Sequence, residues 1–323
     1  MGTKPASLSR PVDLSSRMPK KGFWYELNKN KIMFLMLLPT LVFFIINSYL
    51  PMAGIYFAFT RFDFNGGLFG SPFVGIENFK FLTKSGDLLR ITFNTVGYNV
   101  VFVILGNVLA MVIAIMLSDV TGKWFKKISQ SIMFLPYFVS FVLLSAIAYN
   151  TFNFETGFVN ATMKTLGMER VDIYNTPWMW PYLITSFYLW KTIGYHSVIY
   201  LAAITGISHD YYEAADLDGA NIFQKIWFIT VPMLKPTFII LLLFSVGSIM
   251  KGQFELFYQL VGQNGLLFNV TDIIDTYVYR SLRVNFDIGS ATAAGLYQSF
   301  FGFVLIMTVN YIVRKINEDY ALF

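Results

Sequence analysis

The sequence predicts an all-α fold, a polytopic helical bundle embedded in a membrane, and three observations carry that prediction. Hydrophobic residues fill 55% of the 323 positions and charged residues only 13%, with a mean hydropathy of +0.55. A soluble globular chain carries roughly 25% charged residues, enough to cover its core with polar surface. The apolar residues also fall in long continuous runs without the alternation of barrel strands, so of the two backbone solutions that lipid permits, helices are selected.

Crossing a hydrocarbon layer of ~30 Å takes about 20 helical residues, and six runs reach that length. The first spans Ile32 to Phe59 and is expected to break at Pro39 and Pro51. The second, Ile91 to Ser118, carries no charge, and the third, Ile128 to Phe152, is interrupted by Pro136. The fourth, Trp178 to Ile207, carries Lys191 and His196; the fifth, Pro236 to Tyr258, carries Lys251 and Glu255; the sixth runs from Ile288 to Val313. The segments 60–90 and 153–177 mix aromatic, glycine and charged residues and are expected to fold on the outer side.

Lys and Arg set the orientation. With the N-terminus inside, Lys4, Arg10, Arg17, Lys20, Lys21, Lys29, Lys31, Lys123, Lys126, Lys127, Lys225, Lys235, Arg314 and Lys315 fall on the cytoplasmic side. Arg61, Lys80, Lys84, Arg90, Lys164, Arg170, Arg280 and Arg283 fall outside. The net charge of +5 therefore reads as membrane orientation, with lipid and not nucleic acid as the partner. Residues 1–31 form a polar cytoplasmic segment, 32–313 the six-span domain with a cytoplasmic loop at 208–231, and 314–323 a cytoplasmic tail. The first apolar run lacks a small-residue cleavage site and reads as a retained anchor. The absence of cysteine excludes disulfides, thiolate metal sites and cysteine nucleophiles.

The 208–231 loop is the most informative segment. Asp210 and Glu213 have capping-box spacing, and Gly219 can end the resulting short helix in a left-handed conformation. Asn221 and Gln224 repeat the start signal, and Ile222, Phe223, Ile226 and Trp227 give a second short helix an apolar stripe. Pro232 and Pro236 suit the opening of the fifth span. The expectation is two short helices joined at a glycine.

Glu213-Ala214-Ala215, then Gly219, Ile229 and Pro232, resemble the EAA signature of ABC importer permeases, with Val231 where the family usually has Leu. Asp218-Gly219-Ala220, Leu234-Lys235-Pro236, Gly75-Ile76-Glu77-Asn78-Phe79, Asn94-Thr95 and Leu135-Pro136-Tyr137-Phe138 extend the resemblance over residues 30 to 323, toward the carbohydrate-uptake branch. The chain is most similar to oligo- and polysaccharide permeases, those of alginate importers among them; no motif singles out alginate.

The resemblance implies a type I importer permease in the bacterial inner membrane, with no catalytic or cofactor site of its own. It implies two ATP-binding subunits holding ATP and Mg, a second permease of different sequence, and an extracytoplasmic solute-binding protein. Glu213, Ala214, Ala215, Asp218 and Gly219 would then contact the ATPase.

Charges inside spans cost ~2.5–3.5 kcal/mol on insertion scales and are functional candidates by default. Lys191, Lys251 and Glu255 either line a water-filled path or serve structure. Lys251 and Glu255, four apart, can pair on one helix face. If the path passes both lysines, an acidic sugar becomes more plausible. His196 and His209 lie too far apart for a metal site, and Asn94, Asn99, Asn107 and Asn310 read as inter-helix hydrogen bonders. The sequence has no P-loop, and Gly122-Lys123 is followed by Trp124. Without a P-loop, ATP must be hydrolysed by another polypeptide, and the lack of His-Glu-x-x-His and Gly-x-Ser-x-Gly argues against a zinc or serine intramembrane protease. The competing reading, a self-sufficient ion-coupled secondary transporter, requires buried carboxylates, and only Glu255 is offered within the spans.

Overall fold

In the computed structural model, residues 22–84 and 86–316 are described. Lys4, Arg10, Arg17, Lys20 and Lys21, and the tail beyond residue 316, lie outside them. The chain divides into two compact units, Met1–Ala53 and Gly54–Phe323.

In the first unit, α1 (Phe23–Lys29) leads through Asn30 into α2 (Lys31–Phe44). The expected break at Pro39 is absent: the proline lies inside α2. The helical register changes later instead, through a wide π turn at Ile45–Tyr49 and a tight 3-10 stretch at Leu50–Phe59 containing Pro51. Such local adjustments re-satisfy carbonyls that a proline leaves without a donor.

Among the described residues, the second unit holds eleven helical stretches of at least 8 residues. They are α3 (Glu77–Lys84), α4 (Asp87–Ser118), α5 (Lys123–Phe134), α6 (Phe141–Phe152), α7 (Phe158–Thr165) and α8 (Trp180–Thr205). The remaining five are α9 (Asp210–Leu217), α10 (Ile222–Gly247), α11 (Phe254–Val261), α12 (Ile274–Arg283) and α13 (Ile288–Ile316). Among the described residues, four helical runs are long and apolar enough to cross a membrane, namely Lys31–Phe59, Asp87–Ser118, Ile222–Gly247 and Ile288–Lys315. A fifth crossing results if Lys123–Phe138 and Phe141–Phe152, bent by 96°, count as one. α8 has 26 residues, long enough to cross, but its lysine, histidine and aromatic residues leave it less apolar.

α4 and α8 form the central pair. Ala110, Ala114, Ile115 and Leu117 of α4 pack with Tyr200, Leu201 and Ile204 of α8 and Leu234 of α10. Alanines at this contact let the backbones approach, the usual device where lipid offers no hydrophobic drive. The bonds expected of Asn94 and Asn107 are present. Asn107 Oδ1 accepts from the Tyr200 hydroxyl at 3.0 Å, and Asn94 Nδ2 donates to the carbonyl of Asp272 at 2.9 Å. A second core joins α4 (Tyr98, Phe102), α6 (Leu144, Ala148), α8 (Trp180, Ile184) and α11 (Leu256, Phe257, Leu260).

The Gly75–Phe79 segment acquires a physical role at α3. Asn78 Nδ2 donates to the carbonyls of Ala58 and Thr60 at 2.9 and 3.0 Å. Its side chain lies against Gly289, where an added Cβ would come within 2.8 Å of it. One amide thus ties residues 58–60 to the first turn of α13. Nearby, the buried Asp272 carboxylate takes both Arg280 guanidinium nitrogens, at 2.5 and 3.1 Å.

Candidate functional site

The 208–231 loop begins one residue earlier than its sequence suggests. His209 is the N-cap of α9, and its carbonyl receives the N–H groups of Tyr212 and Glu213. Asp210 is therefore the first helical residue, its N–H donating to Ser208 Oγ at 3.3 Å. The expected Asp210–Glu213 capping box does not form, and the Glu213 side chain is exposed.

The end of α9 is a Schellman turn. Gly219 sits at φ +76°, its N–H reaches the Asp216 carbonyl, and the Ala220 N–H reaches that of Ala215 at 2.9 Å. A Cβ at Gly219 would meet no atom within 4 Å, so the demand for glycine is conformational. Asn221 and Gln224 then form the expected reciprocal capping box, at 2.9 and 2.8 Å.

The second short helix expected after this box is not a separate element. α10 runs unbroken from Ile222 to Gly247, which corrects that expectation. A π turn at Ile226–Thr230 precedes Pro232 and widens the helix where that residue has no N–H to give. The loop is thus one short helix, a glycine elbow, and the root of a long helix. Lys225 Nζ pairs with Asp216 at 2.7 Å, and the hydroxyls of Tyr212 and Thr230 meet at 3.0 Å. These bonds fix α9 to the root of α10, so that displacing one moves the other.

The elbow presents Leu217 and Phe223, 90% and 79% exposed. Glu213, Ala214, Asp218 and Gly219 are exposed beside them, and Ala215 is half-buried. Beneath lies a cavity of about 460 Å³ lined by Ser118, Lys126, His209, Asp216 and Lys225 among others. The loop therefore shares one end of the bundle with the C-terminus of α4 and the N-terminus of α5.

The charged candidates separate. Lys191 is buried on α8, and its ammonium donates to the Tyr137 carbonyl at 2.8 Å and to that of Val139. It also lies 4.8 Å from the Phe141 ring centroid. These carbonyls belong to the Pro136 bend, where the chain leaves its helical ladder, and a cation suits the carbonyl end of a helix.

Lys251 is not inside a helix. α10 ends at Gly247 and α11 starts at Phe254, leaving 248–253 non-helical. Lys251 and Glu255 therefore do not share a helix face, which corrects the expected i,i+4 pair. Glu255 instead acts electrostatically on Lys191, and Lys251 on Asp275.

The polar groups of this irregular backbone are satisfied by protein side chains. Asn99 Nδ2 donates to the carbonyls of Ile249 and Lys251 at 3.0 and 3.1 Å. Gln298 Nε2 donates to the Met250 carbonyl at 2.7 Å and to Asp275 Oδ2 at 3.0 Å. Asp275 Oδ2 also accepts the Gly252 N–H at 2.7 Å, and a Cβ on Gly252 would come within 2.8 Å of that oxygen. Burial is the largest influence on the Asp275 carboxyl and raises its pKa, against these bonds and the Lys251 charge. Sequence reasoning missed Asp275 and Gln298. Their signal was the pair of glycines, Gly247 and Gly252, bracketing Ser248 and Lys251 in an otherwise apolar run.

Residues 106–318 match the family described as binding-protein-dependent transport system inner membrane component. The chain belongs to that family. Its match covers the loop, Lys191 and the non-helical residues 248–253. Within this inner membrane component family, protein LplB of Bacillus subtilis is 31% identical over 91% of this chain and 92% of its own length. The polygalacturonan/rhamnogalacturonan transport system permease protein YteP of the same organism is 29% identical over 93% of both chains. A chain in the crystal structure of a bacterial ABC transporter that imports the acidic polysaccharide alginate superposes with a TM-score of 0.82. It is 31% identical, covering 91% of this chain and 99% of its own. The present chain is thus an integral membrane permease subunit of an ABC importer, all-helical as its composition requires.

Proposed function

We propose that this chain forms half of an alternating-access pathway for an acidic oligo- or polysaccharide, driven by ATP hydrolysed on separate subunits. The observation that carries the reading is the 208–231 loop: an exposed apolar elbow whose short helix is bonded rigidly to the root of a spanning helix. A partner that moves Leu217 and Phe223 moves α10 with them. Glu213, Ala214, Ala215, Asp218 and Gly219 form the contact with the ATPase, Ala214 allowing close approach. Two ATP-binding subunits hold ATP and Mg, and a second permease of different sequence completes the path. A solute-binding protein delivers the substrate from outside.

The acidic character of the substrate is supported by relatives. YteP is described for polygalacturonan and rhamnogalacturonan, and the superposable transporter for alginate. A further structure of that kind, again with a TM-score of 0.82, holds an alginate pentasaccharide-bound periplasmic protein. Six crossings of the bacterial inner membrane, with both termini cytoplasmic, result if the bent pair is one span and α8 another. Lys251 and Glu255 face the path, while Lys191 holds the bend beside it.

The chain has no cysteine, so Leu217→Cys introduces a single thiol. In native membranes, with a maleimide–photoreactive crosslinker attached to it, this thiol is expected to link to a P-loop ATPase, and adding Gly219→Pro is expected to abolish the link. Crosslinking only to lipid-embedded chains, or none in a correctly inserted protein, counts against the proposal.

A further inference from the structure

We propose that Phe254, Tyr258 and Tyr279, with Arg283 beside them, form a shelf that binds a uronate-type sugar ring, the aromatic faces stacking on the sugar and the guanidinium pairing with its carboxylate. This rests on the reading that the substrate is an acidic glycan.

α11 has two faces. Leu256, Phe257, Leu260 and Val261 are buried in the core with Tyr98 and Trp180. Phe254 and Tyr258, one turn apart on the other side, are half-buried and stack at 5.2 Å with 17° between their planes. Tyr279 of α12 closes on both, at 5.0 and 4.8 Å. The hydroxyls of Tyr258 and Tyr279 lie 3.4 Å apart. Three rings thus make one surface with two hydroxyls on it. A pyranose presents C–H groups on one face and hydroxyls at its edge, a match for aromatic faces bordered by phenols.

The surroundings argue against lipid as the occupant. Lys251 before α11, Glu255 on it and Arg283 at the end of α12 are all exposed. Charges directed at hydrocarbon are rare and costly, so this side meets a water-filled space.

The two arginines of α12 differ in the way an acidic ligand requires. Arg280 is committed, bidentate to the buried Asp272 and 4.1 Å over the Phe268 ring. Arg283 is exposed, has no carboxylate in ion-pair range among the described residues, and lies within hydrogen-bonding reach of the Tyr279 phenol, which leaves its other donors open. A guanidinium so placed offers two parallel donors to a carboxylate arriving on the rings.

The test uses the full-length chain in lipid nanodiscs, without receptor, titrated with trigalacturonate and with its neutral methyl ester. The acid is expected to bind at least tenfold more tightly. Arg283→Gln is expected to abolish that preference while leaving the ester unchanged, and Tyr258→Leu to weaken both probes severalfold. Equal binding of acid and ester by the unmodified chain, or an Arg283→Gln chain that keeps the preference, overturns the shelf. So does an Arg283→Gln chain that loses affinity for the solute-binding protein alone, which would assign the arginine to receptor docking. Receptor-stimulated ATP hydrolysis by the assembled importer reports separately on the importer reading. Hydrolysis intact with no acid preference removes the shelf and spares the importer; preference without stimulated hydrolysis does the reverse.

Discussion

The ammonium of Lys191 and the carbonyl of Tyr137 are joined at 2.8 Å, with Val139 offering a second carbonyl to the same group. The bend at Pro136 is therefore held by a cation from a different helix, and not only by the proline. Lys191→Met keeps the length of the side chain and removes both bonds. It is expected to lower stability by about 1.5–3 kcal/mol, the range for hydrogen bonds to charged groups. A thermal melt of the detergent-solubilised chain reads this, and an unshifted midpoint would show that the bend holds itself.

Gly194, one turn beyond Lys191, lets α8 and α5 touch. A Cβ there would lie 1.8 Å from the Met133 carbonyl oxygen, so backbone must move. Gly106 on α4 is its control, since an added Cβ would meet only Leu189 Cδ2 at 4.0 Å. Gly194→Ala is expected to destabilise by about 1–3 kcal/mol or more through overpacking. Gly106→Ala should cost nothing measurable, because helix propensity favours alanine. Equal melting temperatures for the two variants would contradict the close approach.

The contrast between those positions shows what could be read from sequence. The apolar runs, the Gly219 elbow, the Asn221–Gln224 box and the inter-helix asparagines were legible because each depends on residues adjacent in sequence or on transfer free energy. The Asp210–Glu213 box failed because spacing alone cannot place the N-cap, and His209 took that position. The break at 248–253 was hidden because its support comes from Asn99, Asp275 and Gln298, which are remote in sequence. Lys191 was legible as an anomaly but not as a clamp, since its partners are main-chain carbonyls that no side-chain pattern reveals.

Asp275 tests the broken span. Its Oδ2 accepts from Gly252 N–H and Gln298 Nε2, while burial disfavours its charge. Asp275→Asn retains an acceptor oxygen and is expected to be nearly neutral. Asp275→Ala leaves two donors without this partner and should cost about 1–3 kcal/mol. Chemical unfolding of the two variants in detergent compares them, and equal losses would mean that the carboxylate charge, rather than its acceptor role, supports the break.

The elbow makes a conformational prediction of its own. At φ +76° an L-residue is strained, by roughly 1–2 kcal/mol for a left-handed helical position. Gly219→Ala should therefore loosen the joint without blocking it, and Gly219→Pro, whose φ is fixed near −65°, should destroy it. Limited proteolysis of the loop is expected to accelerate in that order. Equal protection in all three chains would show that the Asp216–Lys225 pair alone fixes the elbow.

The most direct test of the central claim is ATP hydrolysis by the assembled importer in proteoliposomes, measured with and without loaded solute-binding protein. The account predicts stimulation by the receptor in the unmodified complex, and its loss with Glu213→Lys at the exposed start of the elbow helix. Undiminished stimulation in the Glu213→Lys complex would contradict transmission through the 208–231 loop.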